Sequence, residues 1–218
     1  MTAVLSPRLK AAADLVPACE CVFDIGTDHA WLPIWLVQNG RCRRAVAADL
    51  RTGPLERAAR HIHDADLDEQ IEVAQTDGLQ GLDCGSSDVI VLAGLGGNEI
   101  MRILENRNPA CRSLILQPMK SLPELRGWLY GQGYRIERES LPYDRGRYYP
   151  VMSCVYTGQK EDLALLEAWA GPVLLAERPP SLQPYLRLLQ LRLLRHGRHN
   201  PDFLTVARQI GRLLEDQI

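Results

Sequence analysis

Val22-Phe23-Asp24-Ile25-Gly26-Thr27-Asp28-His29-Ala30-Trp31-Leu32-Pro33 is the stretch whose reading decides the fold of this chain. A short apolar run carries an acid, passes a single glycine and enters a helical pattern. That is a strand, a tight turn and a helix N-terminus. Such a junction presents backbone N–H groups to a ligand at the edge of a parallel sheet. The turn also holds the carboxylates of Asp24 and Asp28 and the imidazole of His29. A pyrophosphate would call for more glycine and no negative charge here, and the pattern Gly26-Thr27-Asp28-His29-Ala30-Trp31 is not the dinucleotide fingerprint. A cation with an amino-acid tail, such as the sulfonium of S-adenosylmethionine, suits the turn better.

Working outward, strand signals recur at Cys21 to Ile25, Ala45 to Ala48, Ile71 to Ala74, Val89 to Leu92, Ser113 to Leu116, Tyr134 to Arg138 and Val151 to Tyr156. Helical patterns lie between them at Ala30 to Gln38, Pro54 to Asp64, Asn98 to Asn106 and Leu122 to Tyr130, and Ser6-Pro7 opens another before Arg8. Strand alternating with helix predicts an α/β fold, a Rossmann-like doubly wound and mostly parallel sheet. Only a loop joins the last two strands, so the final one is expected to run antiparallel. Beyond Tyr156 no strand signal returns, and Leu182 to Leu194 and Phe203 to Leu214 are leucine-rich at helical spacing. Leu186, Leu189 and Leu193 share one face and Val206, Ile210 and Leu213 another, as in a helical hairpin. A methyl-donor domain over 1–157 and a helical, coiled-coil-like domain over 158–218 are the expected units.

With 218 residues, 46% hydrophobic and 24% charged, the chain has the composition of a globular protein with a substantial core. A net charge of −2 excludes a surface that is basic throughout, though not a local basic patch. No signal peptide or membrane-spanning run is expected, and none of the cysteines (Cys19, Cys21, Cys42, Cys84, Cys111, Cys154) shows zinc spacing. Buried, reduced thiols in a cytoplasmic protein are the expectation.

In a doubly wound sheet, ligands lie across the carboxyl ends of the strands. Asp24 closes the first strand, Asp49 closes the second, and Asp77 follows the third. A carboxylate after the second strand can accept both ribose hydroxyls, and one after the third can accept the exocyclic amine of adenine. Asp24 and its turn then face the amino-acid end and the sulfonium. After the fourth strand, Ala93-Gly94-Leu95-Gly96-Gly97-Asn98 lacks side chains at several positions and would let a flat base or the methyl donor approach the backbone. Gln117-Pro118-Met119 brings an amide to the same rim after the fifth.

Together these residues resemble the bacterial tRNA (adenine-22-N1)-methyltransferase family (TrmK-like). The matching pieces are Leu5-Ser6-x-Arg8-Leu9, Asp24-Ile25-Gly26-Thr27-Asp28-His29-Ala30-x-Leu32-Pro33, Ala48-Asp49, Gly53-Pro54-Leu55, Asp77-Gly78-Leu79, Ala93-Gly94-x-Gly96-Gly97 and Leu114-Ile115-Leu116-Gln117-Pro118. Leu95 replaces the usual methionine and Trp31 a common tyrosine. The resemblance implies an S-adenosylmethionine domain followed by a helical domain, methylating N1 of adenine 22 in tRNA. It implies a donor site of Asp24, Gly26, Thr27, Asp49, Leu50, Thr76, Asp77, Gly78, Ala93 and Gly94. Arg8, Gly96, Gly97, Gln117 and Pro118 would meet the substrate. The implied partner is tRNA, with no metal and no membrane, the chain acting as a monomer.

Adenine N1 has an in-plane lone pair, so alignment can carry the reaction without a covalent intermediate. Asp28 is the carboxylate expected to stabilise the cationic product, with His29 hydrogen-bonding the base or orienting Asp28. N1 is occupied in a duplex, so the target must leave its stack, and Trp31, Tyr148 and Tyr149 are candidate stacking surfaces. Arg145, Arg147, Tyr148, Arg195 and Arg198 are the candidate RNA contacts, with Arg187, Arg192, His196 and His199 in the same basic tail. A methyltransferase for a small molecule or a protein, with the tail as lid or dimer contact, stays open as the alternative.

Overall fold

The computed structural model describes residues 3–106, 110–197 and 200–215. Five strands form a parallel run: β1 (Cys19–Ile25), β2 (Cys42–Asp49), β3 (Ile71–Gln75), β4 (Val89–Leu95) and β5 (Ser113–Pro118). β6 (Tyr134–Ser140) and β9 (Val151–Tyr156) complete the main sheet, with a small hairpin of β7 (Tyr143–Asp144) and β8 (Arg147–Tyr148) between them. The strand order is β3-β2-β1-β4-β5-β9-β6. β9 slots between β5 and β6 and is antiparallel to both, as expected of the last strand. Chain order reverses between β1 and β4, which places the ligand crevice above their carboxyl ends.

Helices cover both faces. α1 (Pro7–Leu15), α2 (Trp31–Gln38) and α3 (Thr52–Asp64) lie on one side, α4 (Gly97–Glu105) and α5 (Leu122–Gly131) on the other. The alternation of β4 explains why its apolar run is unbroken. Ile90 and Leu92 enter the core under α4 and α5, while Val89 and Val91 enter the core under α1, α2 and α3. Each such fully buried side chain contributes about 1.5–3 kcal/mol.

After β9 come α6 (Leu165–Ala170), α7 (Pro172–Glu177), α8 (Leu182–His196) and α9 (Pro201–Glu215). The two short helices have no counterpart in the sequence reading, because each is too brief to show periodicity. α8 and α9 pair through Leu186, Leu189, Leu193, Val206 and Ile210. Leu214, rather than the expected Leu213, packs against that cluster.

A buried ion pair fastens this helical part to the sheet. Arg126 on α5 and Glu139 on β6 have fully buried side chains and meet at 2.6 Å. Arg126 also donates to the carbonyls of Ala168 and Trp169, at 3.0 and 3.1 Å. Glu139 accepts the backbone N–H groups of Val173 and Leu174, at 3.0 and 3.2 Å. Gly171, between α6 and α7, has φ of 105°, and a Cβ there would sit 2.6 Å from the Glu139 carboxylate. Only glycine lets the chain pass this close.

The cysteines need one correction. Cys84 and Cys111 are joined as a disulfide, so the expectation that all six remain thiols fails. The loop after β3 and the segment before β5 meet at one end of β4, a proximity that 27 residues of separation conceal. The remaining thiols are buried or half-buried, and burial pushes Cys21 up to about 11, which keeps it protonated.

Candidate active site

The carboxyl ends of β1 to β5 form one rim. Gly26 and Thr27 donate to the Ala48 carbonyl at 2.8 and 3.0 Å, Thr76 donates to the Asp49 carbonyl at 3.1 Å, and Met119 donates to the Leu95 carbonyl at 2.8 Å. These bonds extend the sheet by a residue or two and hold the turns level with one another.

Asp24 is 7% exposed and directed to the α1–α2–α3 side of β1. Among the described residues no cation pairs with it, and Thr27 supplies its hydrogen bond. Burial pushes its carboxyl up to about 6, with the Thr27 bond pulling the other way. A buried carboxylate without a counter-ion carries a desolvation cost that a cationic ligand would offset. Asp49 is equally buried, and its Oδ1 takes the Arg51 N–H at 2.8 Å and the Arg51 guanidinium at 3.3 Å, which leaves Oδ2 for a ligand. Beside it Leu50 is 61% exposed, an apolar surface at the mouth of a polar site. Asp77 is clasped by Arg102 of α4, at 2.6 and 3.3 Å, and that guanidinium holds its carboxyl below the usual range. Thr76 donates to the Gln80 carbonyl at 2.7 Å, and Gly78, buried against Ile103, turns the chain behind Asp77. A donor with a cationic amino-acid end, a ribose diol and an adenine fits this set.

At the other side of the rim, Gln117 is fully buried at the end of β5 and accepts a bond from Arg8 of α1 at 2.9 Å. The two are far apart in sequence, yet they meet beside Gly94, where a Cβ would lie 3.4 Å from the Arg8 guanidinium. Gln117 in turn donates to the Pro118 carbonyl at 3.1 Å. Ala93 is half-buried and Gly94 exposed at this edge. The glycine-rich turn is not open throughout. Gly97 is buried, its N–H donates to the Lys120 carbonyl, and a Cβ would fall 2.5 Å from the Ser121 carbonyl oxygen. The small size of Gly97 serves packing of α4 on the β5–α5 loop. Gly96 is covered by the Lys120 stem.

Asp28 and His29 project from the first turn. Asp28 accepts a bond from Arg57 of α3 at 2.5 Å, and that guanidinium, with help from His29, keeps its carboxyl below the usual range. His29 Nε2 lies 3.3 Å from Asp28, while its Nδ1 is buried and has no hydrogen-bond partner among the described residues. The imidazole is therefore not tied to backbone. Trp31 stacks on His61 at 4.2 Å, and His61 Nδ1 donates to the His29 carbonyl at 3.0 Å.

A methyltransferase domain model matches residues 5–152. The chain belongs to that methyltransferase family. Over 151 residues it is 36% identical to the Bacillus subtilis tRNA (adenine(22)-N(1))-methyltransferase, an alignment that covers 68% of this chain and 63% of that relative's length. Among solved structures, Streptococcus pneumoniae Sp1610 in complex with S-adenosyl-L-methionine superposes with a TM-score of 0.87 at 28% identity, covering 97% of this chain and 100% of that one. The B. subtilis M1A22 tRNA methyltransferase TrmK gives 0.77 at 27% identity, covering 98% and 97% of the two chains. The resemblance read from the motifs, and the Rossmann-like fold, both hold.

Some residues of this methyltransferase's rim escape sequence reasoning. Arg57, His61 and Arg102 reach Asp28, His29 and Asp77 from helix positions outside the motif residues. The only local sign is the spacing of Glu99 and Arg102, which also bond each other at 2.8 Å. Of the expected RNA contacts, Arg147 and Tyr148 lie together on β8, beside Arg145 at the tip of the β7–β8 turn. Arg195 is exposed in the last turn of α8, and Arg198 lies outside the described residues.

Proposed function

We propose that this chain is an S-adenosylmethionine-dependent methyltransferase acting on N1 of adenine 22 in tRNA. One observation carries the reading: Asp24 is a buried carboxylate without a counter-ion among the described residues, in line with Asp49 along the carboxyl rim. Asp24 would hold the cationic amino-acid end, Asp49 the ribose, and Asp77 with Leu50 the adenine. Gly26, Thr27, Thr76, Gly78, Ala93 and Gly94 shape the walls. When bound, this donor supplies an electrophilic methyl group.

The protein's part is to align and to neutralise. His29, 3.3 Å from Asp28 on the first turn, would hydrogen-bond an entering adenine or orient Asp28. Asp28, kept ionised by Arg57, lies close enough to His29 to stabilise positive charge on the base as N1 becomes alkylated. Arg8 and Gln117 fix each other at the opposite edge, next to the open backbone of Gly94. The two-domain division at about residue 158, with the helical part helping to hold the RNA, belongs to the same proposal, as do a monomer, a metal-free reaction and a cytoplasmic location.

The experiment supplies labelled donor and total tRNA from a strain lacking this gene, followed by digestion to nucleosides. N1-methyladenosine is expected, and a transcript with guanine at position 22 should accept no methyl group. Label on protein or a small molecule, with none on tRNA, would overturn the proposal.

A further inference from the structure

Next to the rim a groove of about 780 Å³ separates the β5–α5 loop and the β8 loop from the helical hairpin. Its volume falls within the range of sites that enclose an organic ligand. It begins at Pro118 and Met119, directly after Gln117, so it continues the acceptor side of the crevice. The half-buried rings of Tyr149, Trp169 and Phe203 line it, and Trp169 meets Phe203 edge-on at 5.0 Å. Its charges are Lys120, Arg147 and Arg192 against the single carboxylate of Glu124. All three cations are exposed, and none is in an ion pair among the described residues.

Rings from separate elements, flanked by unpaired cations, make a surface for a flat base joined to a phosphate. We infer that this groove binds an unpaired nucleotide of the substrate RNA adjoining the target adenine, an inference that rests on the RNA substrate proposed above. The base lies against the ring cluster and the phosphates against Lys120, Arg147 and Arg192. The Lys120 stem crosses Gly96, so one residue borders both the groove and the turn after β4. The helical hairpin thus completes a binding site with the sheet domain.

The test titrates the full-length protein, saturated with S-adenosylhomocysteine, with an oligoriboadenylate tetramer. Tryptophan emission and the anisotropy of a labelled tetramer are followed together. Saturable quenching is expected, and Trp169→Phe should abolish it while keeping tetramer affinity within about threefold. Tyr149→Ala and Arg192→Glu should each weaken the tetramer by about tenfold or more, and the second should flatten the salt dependence of binding. Failure of the tetramer to bind, quenching that survives Trp169→Phe, or affinity indifferent to Tyr149→Ala and Arg192→Glu would overturn the inference. If the tetramer fails to bind and Arg192→Glu alters the sedimentation coefficient, the groove is a protein contact instead. Methyl transfer to tRNA by the same preparations separates the two claims. Transfer without groove-dependent tetramer binding removes only the groove, and groove-dependent binding without transfer removes only the substrate assignment.

Discussion

Two buried carboxylates in this molecule have opposite surroundings. Glu139, under the junction of α6 and α7, is neutralised by Arg126 and by two backbone N–H groups at the start of α7. Asp24, under the first turn of the crevice, has one hydroxyl and, among the described residues, no cation. The first arrangement is complete as it stands and fixes the helical part on the sheet. The second is incomplete, and its cost is tolerated where the proposed cationic end of the donor would sit.

The largest expected effect breaks the complete arrangement. Arg126→Met leaves the Glu139 carboxylate buried without its partner, and stability should fall by about 3–5 kcal/mol. Urea unfolding measures this, and an unchanged midpoint would mean the pair contributes nothing to the fold.

Removing the charge at the incomplete site should act in the reverse direction. The Asp24 carboxyl is raised from its ordinary 3.8 to about 6. A raised acid favours the folded state below about pH 4, and that contribution is lost as pH rises through 6. Asp24→Asn should therefore stabilise the protein at pH 7, by up to about 3 kcal/mol, with the difference from wild type vanishing towards pH 4. Calorimetry should show donor affinity reduced about 100-fold or more. Wild-type affinity should also fall as the solution is acidified through pH 6. A variant that is less stable and still binds the donor would erase the contrast between the two carboxylates.

The smallest effect on stability belongs to a third carboxylate, exposed and paired. Asp28 is 61% exposed, so Asp28→Ala should move the unfolding midpoint by no more than about 0.5 kcal/mol. Its consequence lies in turnover, where kcat should fall about 100-fold while donor affinity stays the same. Equal loss of both would make Asp28 part of the donor site rather than of the base-facing side.

Much of this was legible along the chain. The strand–turn–helix at Asp24 to Trp31 marked the crevice, and the acids at 24, 49 and 77 stand at the strand ends where the periodicity put them. Short elements and cross-element contacts were not legible. α6 and α7 are six residues each, less than two turns, so no apolar stripe can repeat within them. Arg57 and Arg102 look like ordinary wet-face arginines until α3 and α4 are packed, and Gly97 looks like an open turn until Ser121 is seen against it.

The order of residues determined the alternation of strand and helix and the identity of the acids, because periodicity and turn chemistry are local properties. Packing alone decided which charge is answered and which is left waiting. Counter-ions come from distant segments, and whether a carboxylate costs energy depends on water that only the assembled core excludes.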